Sequence, residues 1–354
     1  MSEQQRWRLD WPVPAPGRVA KAVLKASPET FFVDEDLGQE GFPEEITSAD
    51  ALVVGGDGEH VCLRLEKTGD NTDYVARQLA SLAGCRHHDV GYCGLKDRHA
   101  VTRQWFSLYR PGQEASDQTL IEQVSQRWPV LSAHRHARKL RRGDHRGNAF
   151  MITLVDVEGD REAIDSALHQ VALQGCPNYY GRQRFGHDGG NLDRAIALDF
   201  SRPRHRGRRG QSSRNRDGMY FSAARSWLFN EVLAERVEVG NWLERFEGEP
   251  DPVAPTGPLW GDGGTTATGD QETLERRVVA EHPELAQVFS STRMKPERRA
   301  LALMPGALAW EWRDQHTLIL RFHLLPGQFA TSLIGSVFEL TDAGGGDSGV
   351  AEDR

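Results

Sequence analysis

The feature that most constrains the fold is a strand-like alternation that occurs early in the chain and returns near its end. Residues 60–67 (HVCLRLEK) and 316–325 (HTLILRFHLL) each place an apolar side chain at every second position, which is typical of β-strands. Between them lie helical patterns at 221–239 and from about Gln271, separated by linkers rich in Gly, Pro and Thr. A sheet that the chain leaves and later rejoins is therefore predicted, with a mainly helical insertion.

Further patterns predict an α+β fold in two domains. Helices are indicated at 72–82, where Thr72 can act as the N-cap, and at 162–174, and strands at 104–109 and 151–157. We predict a core of residues 1–173 and 304–341, with a loosely held N-terminus up to about residue 20 and a final helix at 333–338. Residues 174–303 form the insertion, and 342–354 form a disordered tail.

Charge is distributed unevenly along the 354 residues. The net charge is -8, yet residues 134–146 hold six Lys or Arg, and residues 202–216 hold seven Arg. Local basic patches neutralise phosphates whatever the total charge, although such runs are also typical of disordered loops. No apolar run approaches the roughly 20 residues that a membrane helix needs. With no hydrophobic signal segment and four irregularly spaced cysteines, we expect a cytoplasmic, monomeric protein with reduced thiols.

The strongest candidate for chemistry is residues 91–108, in which Asp97 stands between Lys96 and Arg98. One interpretation is a solvated ion pair on the surface. The other is a carboxylate that nearby cations keep ionised, ready to act as a nucleophile or base. The neighbouring cysteines and histidines, in CRHHDVGYC at 85–93, match no usual zinc-ligand spacing, so no metal is expected.

A second candidate for binding is the segment 177–191 (PNYYGRQRFGHDGGN), which interleaves aromatic residues with Arg182, Arg184 and glycines. This composition is typical of a loop that contacts nucleic-acid backbones and bases. The phosphate-loop alternative lacks its motif, because neither GxGxxG nor GxxxxGK[ST] is present.

Five segments, taken together and in this order, resemble the TruD-type tRNA pseudouridine synthases. The resemblance extends from about Lys25 to about Leu340, nearly the whole ordered chain. The segments are GLKDRHAVTRQWFSL (94–108), HARKLRRG followed by GNAF (136–150), NYYGRQRFG (178–186), SAARSWLFN (222–230) and LPGQFATS (325–332).

The resemblance implies a pseudouridine-synthase-like core with a mixed, largely antiparallel sheet, flanking helices and a family-specific insertion. It places Asp97 at the position of the catalytic acid and Lys25 at that of a cation that supports this acid. The substrate-binding positions that it implies are Phe31, Asn148, Phe150 and Phe329.

The implied reaction isomerises uridine in tRNA, at position 13 of certain tRNAs, to pseudouridine, and calls for no cofactor. Whether Asp97 attacks C1′ or promotes a glycal route stays open. From the basic segments we expect the RNA backbone to contact Arg138, Lys139, Arg141, Arg142, Arg182 and Arg184.

Plain structural roles remain open for three of these positions. Phe150 can be ordinary core, Phe329 a hydrophobic staple of the following helix, and Asn148 a turn residue. Two other functions also remain open, namely a non-catalytic tRNA-binding or RNA-chaperone protein on the same fold and a hydrolytic N-glycosidase.

Overall fold

The structure, a computed structural model, describes residues 6–38, 54–198, 208–290, 292 and 294–344, and between 208 and 216 it describes the backbone alone. The strands within these ranges are β1 (Ala20–Leu24), β2 (Phe31–Asp36), β3 (Gly55–Gly56), β4 (His60–Thr68), β5 (Gly91–Tyr92), β6 (Val101–Tyr109), β7 (Val130–His136), β8 (Gly147–Gly159), β9 (Cys176–Pro177), β10 (Thr256–Leu259), β11 (Glu297–Ala300), β12 (Ala302–Leu303), β13 (Gly306–Trp312), β14 (Leu318–Leu324) and β15 (Phe338–Asp342). The helices are α1 (Thr72–Ala83), α2 (Asp117–Ser125), α3 (Arg161–Gln174), α4 (Gly190–Ile196), α5 (Arg208–Val239), α6 (Gly269–Ala280), α7 (Pro283–Phe289) and α8 (Ala330–Ile334). Over the same ranges, none of the helices has the length and apolar character that crossing a membrane requires.

The chain divides into two compact units. The first, here called the helical unit, comprises Met1–Val19, Arg161–Met304 and Gln328–Phe338. The second, the sheet unit, comprises Ala20–Asp160, Pro305–Gly327 and Glu339–Arg354. The N-terminal segment and α3 thus group with residues of the predicted insertion, whose boundaries at 174 and 303 stay a prediction.

The sheet unit is built on a mixed, largely antiparallel sheet, as predicted. Its main order is β13-β14-β8-β2-β6-β4-β7-β3, in which β2 runs parallel to β6 and β3 runs parallel to β7. The late strand β14 pairs along its whole length with β8, and this pairing returns the chain to the sheet. The fold class predicted from the two alternating segments is confirmed.

Strand β4 is more buried than its alternation predicts. Its apolar side chains, including Val61 and Leu63, pack with α1 and α2 in one core, as expected. Its opposite face is covered too, because Cys62 packs against Trp105, and Arg64 is bound by Asp34 at 2.7 Å. Pairing with a carboxylate allows the buried arginine to remain charged.

The N-cap residue of helix α1 lies one position earlier than predicted. Asn71 is the N-cap, and its side chain accepts a hydrogen bond from the backbone N–H of Tyr74 at 2.7 Å. The helix ends at Gly84, which adopts a φ of 66°, as the Gly stop signal predicts. The Thr72 hydroxyl is therefore free of capping and available elsewhere.

Residues 6–19 of the N-terminal segment are not loosely held, so the prediction was wrong for them, while residues 1–5 lie outside the described ranges. Trp7 and Trp11 are buried in the core of the helical unit, together with Phe185 and Trp227. The Trp7 indole N–H donates to Asp193 at 3.0 Å, and its ring meets that of Trp227 edge-on at 5.2 Å. Trp7, Leu9 and Trp11 alternate with polar residues in a segment that forms no helix or strand, so their burial depends on contacts with residues distant in sequence.

Two predictions for the C-terminal region need correction or fall partly outside the described residues. The last helix is α8, which ends at Ile334, and Phe338 begins strand β15 instead of ending a helix. The predicted tail begins at Asp342, the last residue of β15, and residues 345–354 lie outside the described ranges. Of the arginine-rich run, residues up to 207 lie outside them as well, and α5 begins at Arg208.

We predict that Trp7→Ala lowers the stability of the helical unit by about 3–5 kcal/mol, because it leaves a cavity beside Trp227. Thermal unfolding monitored by tryptophan fluorescence and circular dichroism measures this loss. The control is Leu173→Ala, since Leu173 is 78% exposed and its truncation costs little. Equal unfolding midpoints for the two variants would show that the N-terminal segment contributes nothing to the core.

Candidate active site

The carboxylate of Asp97 forms an ion pair with the ammonium group of Lys25 in the sheet unit. Lys25 Nζ donates to Asp97 Oδ2, and the backbone N–H of His99 donates to Oδ1 at 2.9 Å. The lysine side chain is 7% exposed and the aspartate side chain 36% exposed. One end of the pair is thus fixed inside the protein while the carboxylate remains accessible.

These contacts determine the protonation state of Asp97. Burial alone raises the pKa of this carboxyl group, but the hydrogen bonds from Lys25 and from the His99 backbone outweigh it, so the net pKa is lowered. Because the folded-state pKa lies below that of the unfolded chain, the pair stabilises the fold at neutral pH. Its contribution is lost as the pH falls through the folded-state pKa. The carboxylate is ionised at neutral pH.

Arg98 does not share this role, although its position in the sequence indicated that it would. Its Nε donates to His99 Nε2 at 3.0 Å, so its guanidinium is directed to the imidazole. Of the two cations adjacent in sequence, Arg98 is thus directed to His99 and Lys96 pairs with Glu35, and the cation that pairs with Asp97 is Lys25, which is distant in sequence.

Lys25 adopts an uncommon backbone conformation. Its φ is +57°, in the left-handed region, which a non-glycine residue occupies only at a cost. It follows the end of β1, and its ammonium group lies 4.9 Å from the centre of the Phe31 ring. Contacts with Asp97 and the aromatic face both favour this placement of the cation.

The loop that carries Asp97 is fixed by buried polar groups. Gln104 Nε2 donates to the Gly94 carbonyl at 2.7 Å, and the Lys96 N–H donates to the Thr72 hydroxyl at 2.9 Å. That hydroxyl in turn donates to Gln104 Oε1 at 3.0 Å, which links the two supports. Lys96 Nζ also pairs with Glu35. Sequence reasoning missed these roles of Thr72, Gln104 and Glu35. Thr72 was taken as a helix cap, and Glu35 stands between two other acids, Asp34 and Asp36, from which the sequence does not distinguish it.

Strand register brings three predicted substrate residues together beside this loop. In the pairing of β2 with β8, Phe150 lies opposite Val33 and Asn148 lies opposite Glu35. The Phe31 and Phe150 rings meet edge-on at 6.3 Å. Phe31 is buried and Phe150 is half-buried, stacked on Phe322 at 5.2 Å.

Asn148 lies within β8, so the alternative interpretation as a turn residue was wrong. Its Nδ2 is 3.5 Å from His145 Nε2, whereas its Oδ1 is buried and has no hydrogen-bond partner among the described residues. A buried amide oxygen in that state has an acceptor position available.

Phe329 belongs to the helical unit, where it is the N-cap residue of α8. Its ring lies 6.0 Å from that of Tyr180, and it packs partly against the core of that unit. Its role in substrate binding therefore stays a prediction.

Comparison with known proteins identifies the family. The model of the family TruD, tRNA pseudouridine synthase D, matches residues 17–193. A tRNA pseudouridine synthase D from Marinobacter nauticus is 60% identical over 97% of this chain and 98% of its own, and one from Pseudomonas entomophila is 40% identical over 92% and 94%. The chain belongs to the TruD family.

The family resemblance seen in the motifs is thereby confirmed, as is the prediction of an isomerase. A crystal structure assigned to tRNA pseudouridine synthase D from Methanosarcina mazei has the same fold. It superposes with a TM-score of 0.63 at 19% identity, covering 91% of this chain and 94% of the other. The pseudouridine-synthase-like fold is confirmed as well.

The basic residues of this TruD-family chain differ in their surroundings. Arg138, Arg141 and Arg142 are exposed between β7 and β8, and their guanidinium groups pair with no carboxylate of the described residues. Arg142 lies 5.7 Å from the centre of the Tyr92 ring, and Lys139 Nζ donates to the His88 carbonyl at 2.5 Å. The segment thus presents unneutralised positive charge.

The two arginines of the helical unit are held by local contacts. Arg184 Nε donates to the Ser226 hydroxyl at 2.7 Å and its other arm to Ser222, with its guanidinium 4.9 Å from the Tyr180 ring. Arg182 is exposed and lies 3.4 Å from Asp188. Arg184 therefore has a structural role beside any role in RNA binding.

We predict that Lys25→Met raises the pKa of Asp97, because the hydrogen bond and the charge that lower it are removed while the burial that raises it remains. Lys25→Arg keeps the charge and preserves most of the lowering. NMR titration of the carboxyl carbon, assigned by comparison with Asp97→Asn, measures the change. Arg98→Met serves as the control, since Arg98 is directed to His99, and an equal rise in that variant would contradict the assignment to Lys25.

Proposed function

We propose that this protein is a tRNA pseudouridine synthase that converts uridine, at position 13 of certain tRNAs, to pseudouridine, with Asp97 as its catalytic residue. The observation that carries the proposal is an ionised, accessible Asp97 held by Lys25 beside the Phe31–Phe150 aromatic pair. The names of relatives that match nearly the whole chain support the tRNA substrate.

In the proposed reaction the bond between C1′ and N1 of the uridine breaks, the uracil turns, and C5 forms a bond to C1′. The proton on C5 is released and N1 takes up a proton, so the product is an isomer of uridine. The carboxylate of Asp97 either attacks C1′ or removes the proton at C2′, and both routes require the ionised form. Lys25 and the His99 N–H keep it ionised. Because the reaction is an isomerisation with no redox change, it calls for no cofactor.

Binding of the detached base is assigned to the aromatic and amide groups beside Asp97. A base leaving its stack loses on the order of 1–3 kcal/mol of stacking, which the part-exposed Phe150 ring can replace. Asn148 offers its unpartnered Oδ1 to the N3–H of uracil. Phe31 would supply an apolar wall that keeps water from the intermediate. Phe329 stays a predicted substrate-binding residue.

We predict that the wild-type protein releases tritium from tRNA labelled with 5-³H-uridine and that Asp97→Asn lowers the rate by roughly a thousandfold or more. The affinity for tRNA stays within a few fold, because the amide keeps the size of the carboxylate. Filter binding measures the affinity.

The same labelled tRNA separates the other two functions. Free uracil among the products would indicate a hydrolytic N-glycosidase. Tight tRNA binding by the wild-type protein without tritium release would indicate a non-catalytic binding protein on this fold. Loss of binding in Asp97→Asn would contradict a purely catalytic role for the carboxylate.

We predict that replacing Arg138, Arg141 and Arg142 together with Gln weakens tRNA binding and lowers the slope of log affinity against log salt by about 2–3, roughly one for each lost phosphate contact. A matched control replaces Arg245, Arg276 and Arg277, which are exposed on the helical unit and hydrogen-bonded within the protein. An unchanged slope in the first variant would show that the RNA backbone does not contact these three arginines. An equal change in both variants would show that the effect comes from the loss of total positive charge.

A further inference from the structure

We infer that Glu35 and Lys96 act as a positioning pair that sets the location of Asp97 relative to the strand carrying Asn148 and Phe150. The inference rests on the proposed function, since it concerns the placement of the proposed catalytic residue. Neither residue was singled out for such a role by the motifs.

The pair is among the most deeply buried in the sheet unit. Lys96 Nζ lies 2.5 Å from Glu35 Oε2, and the side chains are 6% and 0% exposed. The second oxygen, Oε1, accepts a hydrogen bond from the backbone N–H of Trp105 at 3.2 Å. Both carboxylate oxygens are thus occupied by donors from different segments of the chain.

A contribution to stability does not explain a pair in this environment. Removing two charges from water costs about as much as their attraction returns, and apolar residues of similar volume often serve a fold equally well. Lys96 also stands next to Asp97 in a buried position, which an apolar residue could occupy without the loss of hydration that a buried charge suffers. The specific geometry of the pair therefore requires a separate explanation.

The arrangement of the two ion pairs provides that explanation. Lys25 precedes β2 and Glu35 lies near the end of this strand, while Lys96 and Asp97 are consecutive in the loop. The signs are reversed between the two pairs, Lys25 with Asp97 and Glu35 with Lys96. Two attachments on adjacent residues fix both the position of the loop and its rotation about its own axis, which a single flexible lysine cannot do.

The strand register extends this constraint to the proposed base-binding residues. Glu35 lies directly opposite Asn148 in the antiparallel pairing of β2 with β8, and the next position on that face pairs Val33 with Phe150. Directly opposed residues of antiparallel strands share a face of the sheet. Glu35 therefore relates the loop of Asp97 to the strand from which uracil is proposed to be bound.

The decisive experiment replaces both residues with methionine. Each single variant, Glu35→Met or Lys96→Met, leaves one buried charge without its partner, so we expect a lower unfolding midpoint. The double variant removes both charges, and we expect its midpoint to return to the wild-type value or above. Its kcat for tritium release should nevertheless stay about a hundredfold below wild type, the loss typical of a displacement of roughly 1 Å, with KM within about threefold.

A recovery of kcat together with the midpoint in the double variant would overturn the inference, because the pair would then be structural only. Glu35→Asp provides a second test that keeps the charge balance and shortens the acid by one methylene. We expect it to fold with a midpoint lowered less than in Glu35→Met, because Lys96 keeps a partner of opposite charge, and to lose at least about tenfold in kcat. Wild-type kcat in this variant would also contradict a positioning role.

The control is an equally buried acid away from Asp97. Asp117 is 4% exposed and pairs with Arg135 at 2.6 Å, between α2 and β7. Asp117→Asn should lower the midpoint without changing kcat at temperatures where the protein is folded. A similar loss of kcat in this variant would mean that any destabilised buried pair lowers activity.

A readout without tRNA separates failure of this inference from failure of the proposed function. If the pair positions Asp97, the double methionine variant weakens the contact with Lys25, and the pKa of Asp97 measured by NMR rises toward its value in Lys25→Met. An unchanged pKa in the double variant would overturn the inference even if the wild-type protein released no tritium.

Discussion

The ion pair between Lys25 and Asp97 is the contact on which the rest of the site depends. It joins a residue that leaves β1 in a left-handed conformation to a loop that lies 72 positions later in the chain. Its buried end is the lysine, so the carboxylate is both held and accessible. The sheet provides this geometry, because β2 follows Lys25, carries Glu35 and lies beside β6, which directly follows the loop, and β8, which carries Asn148 and Phe150. A change in the order or register of these three strands would separate the acid from the proposed base-binding residues.

Much of the fold was predictable because its signals are periodic. The alternation at 60–67 and 316–325 indicated strands, and the Gly after α1 marked its end. The predictions failed where position depends on contacts distant in sequence. Trp7 and Trp11, with Leu9 between them, recur at every second position but form no strand, and their rings are buried against Trp227 of α5. Phe338 was predicted to end the last helix, yet it begins strand β15, which pairs with β1.

The site was predictable only in part, for a related reason. Asp97, Lys25, Phe31, Asn148 and Phe150 were indicated by motifs, and the strand register explains why they can act together. The supporting roles of Thr72, Gln104 and Glu35 were missed because no pattern marks which polar side chain is turned inward, as the buried Glu35 between Asp34 and Asp36 shows. Thr72 was taken as a helix cap, a role that Asn71 fills, and its hydroxyl supports the loop of Asp97 instead. For Arg98 the error was the reverse. Its adjacency in sequence indicated an interaction with Asp97, but its side chain is directed to His99.

The site satisfies two requirements that oppose each other. A pocket that excludes water protects a detached base, but the same exclusion raises the pKa of a carboxyl group and favours its neutral form. Buried cations resolve this conflict, since Lys25, Lys67 and Lys96 are all nearly inaccessible, and the carboxylates that attract Lys67 are those of Asp70, Asp97 and Glu35. Lys67 shows the effect of burying these charges close together, because its pKa is lowered to about 8, first by burial and then by the charge of Lys96. At neutral pH this lysine is still protonated, so its attraction to Asp97, like that of Lys25, favours the anion of Asp97 despite the apolar surroundings. Glu35 and Asp70 offset part of the repulsion among the buried lysines.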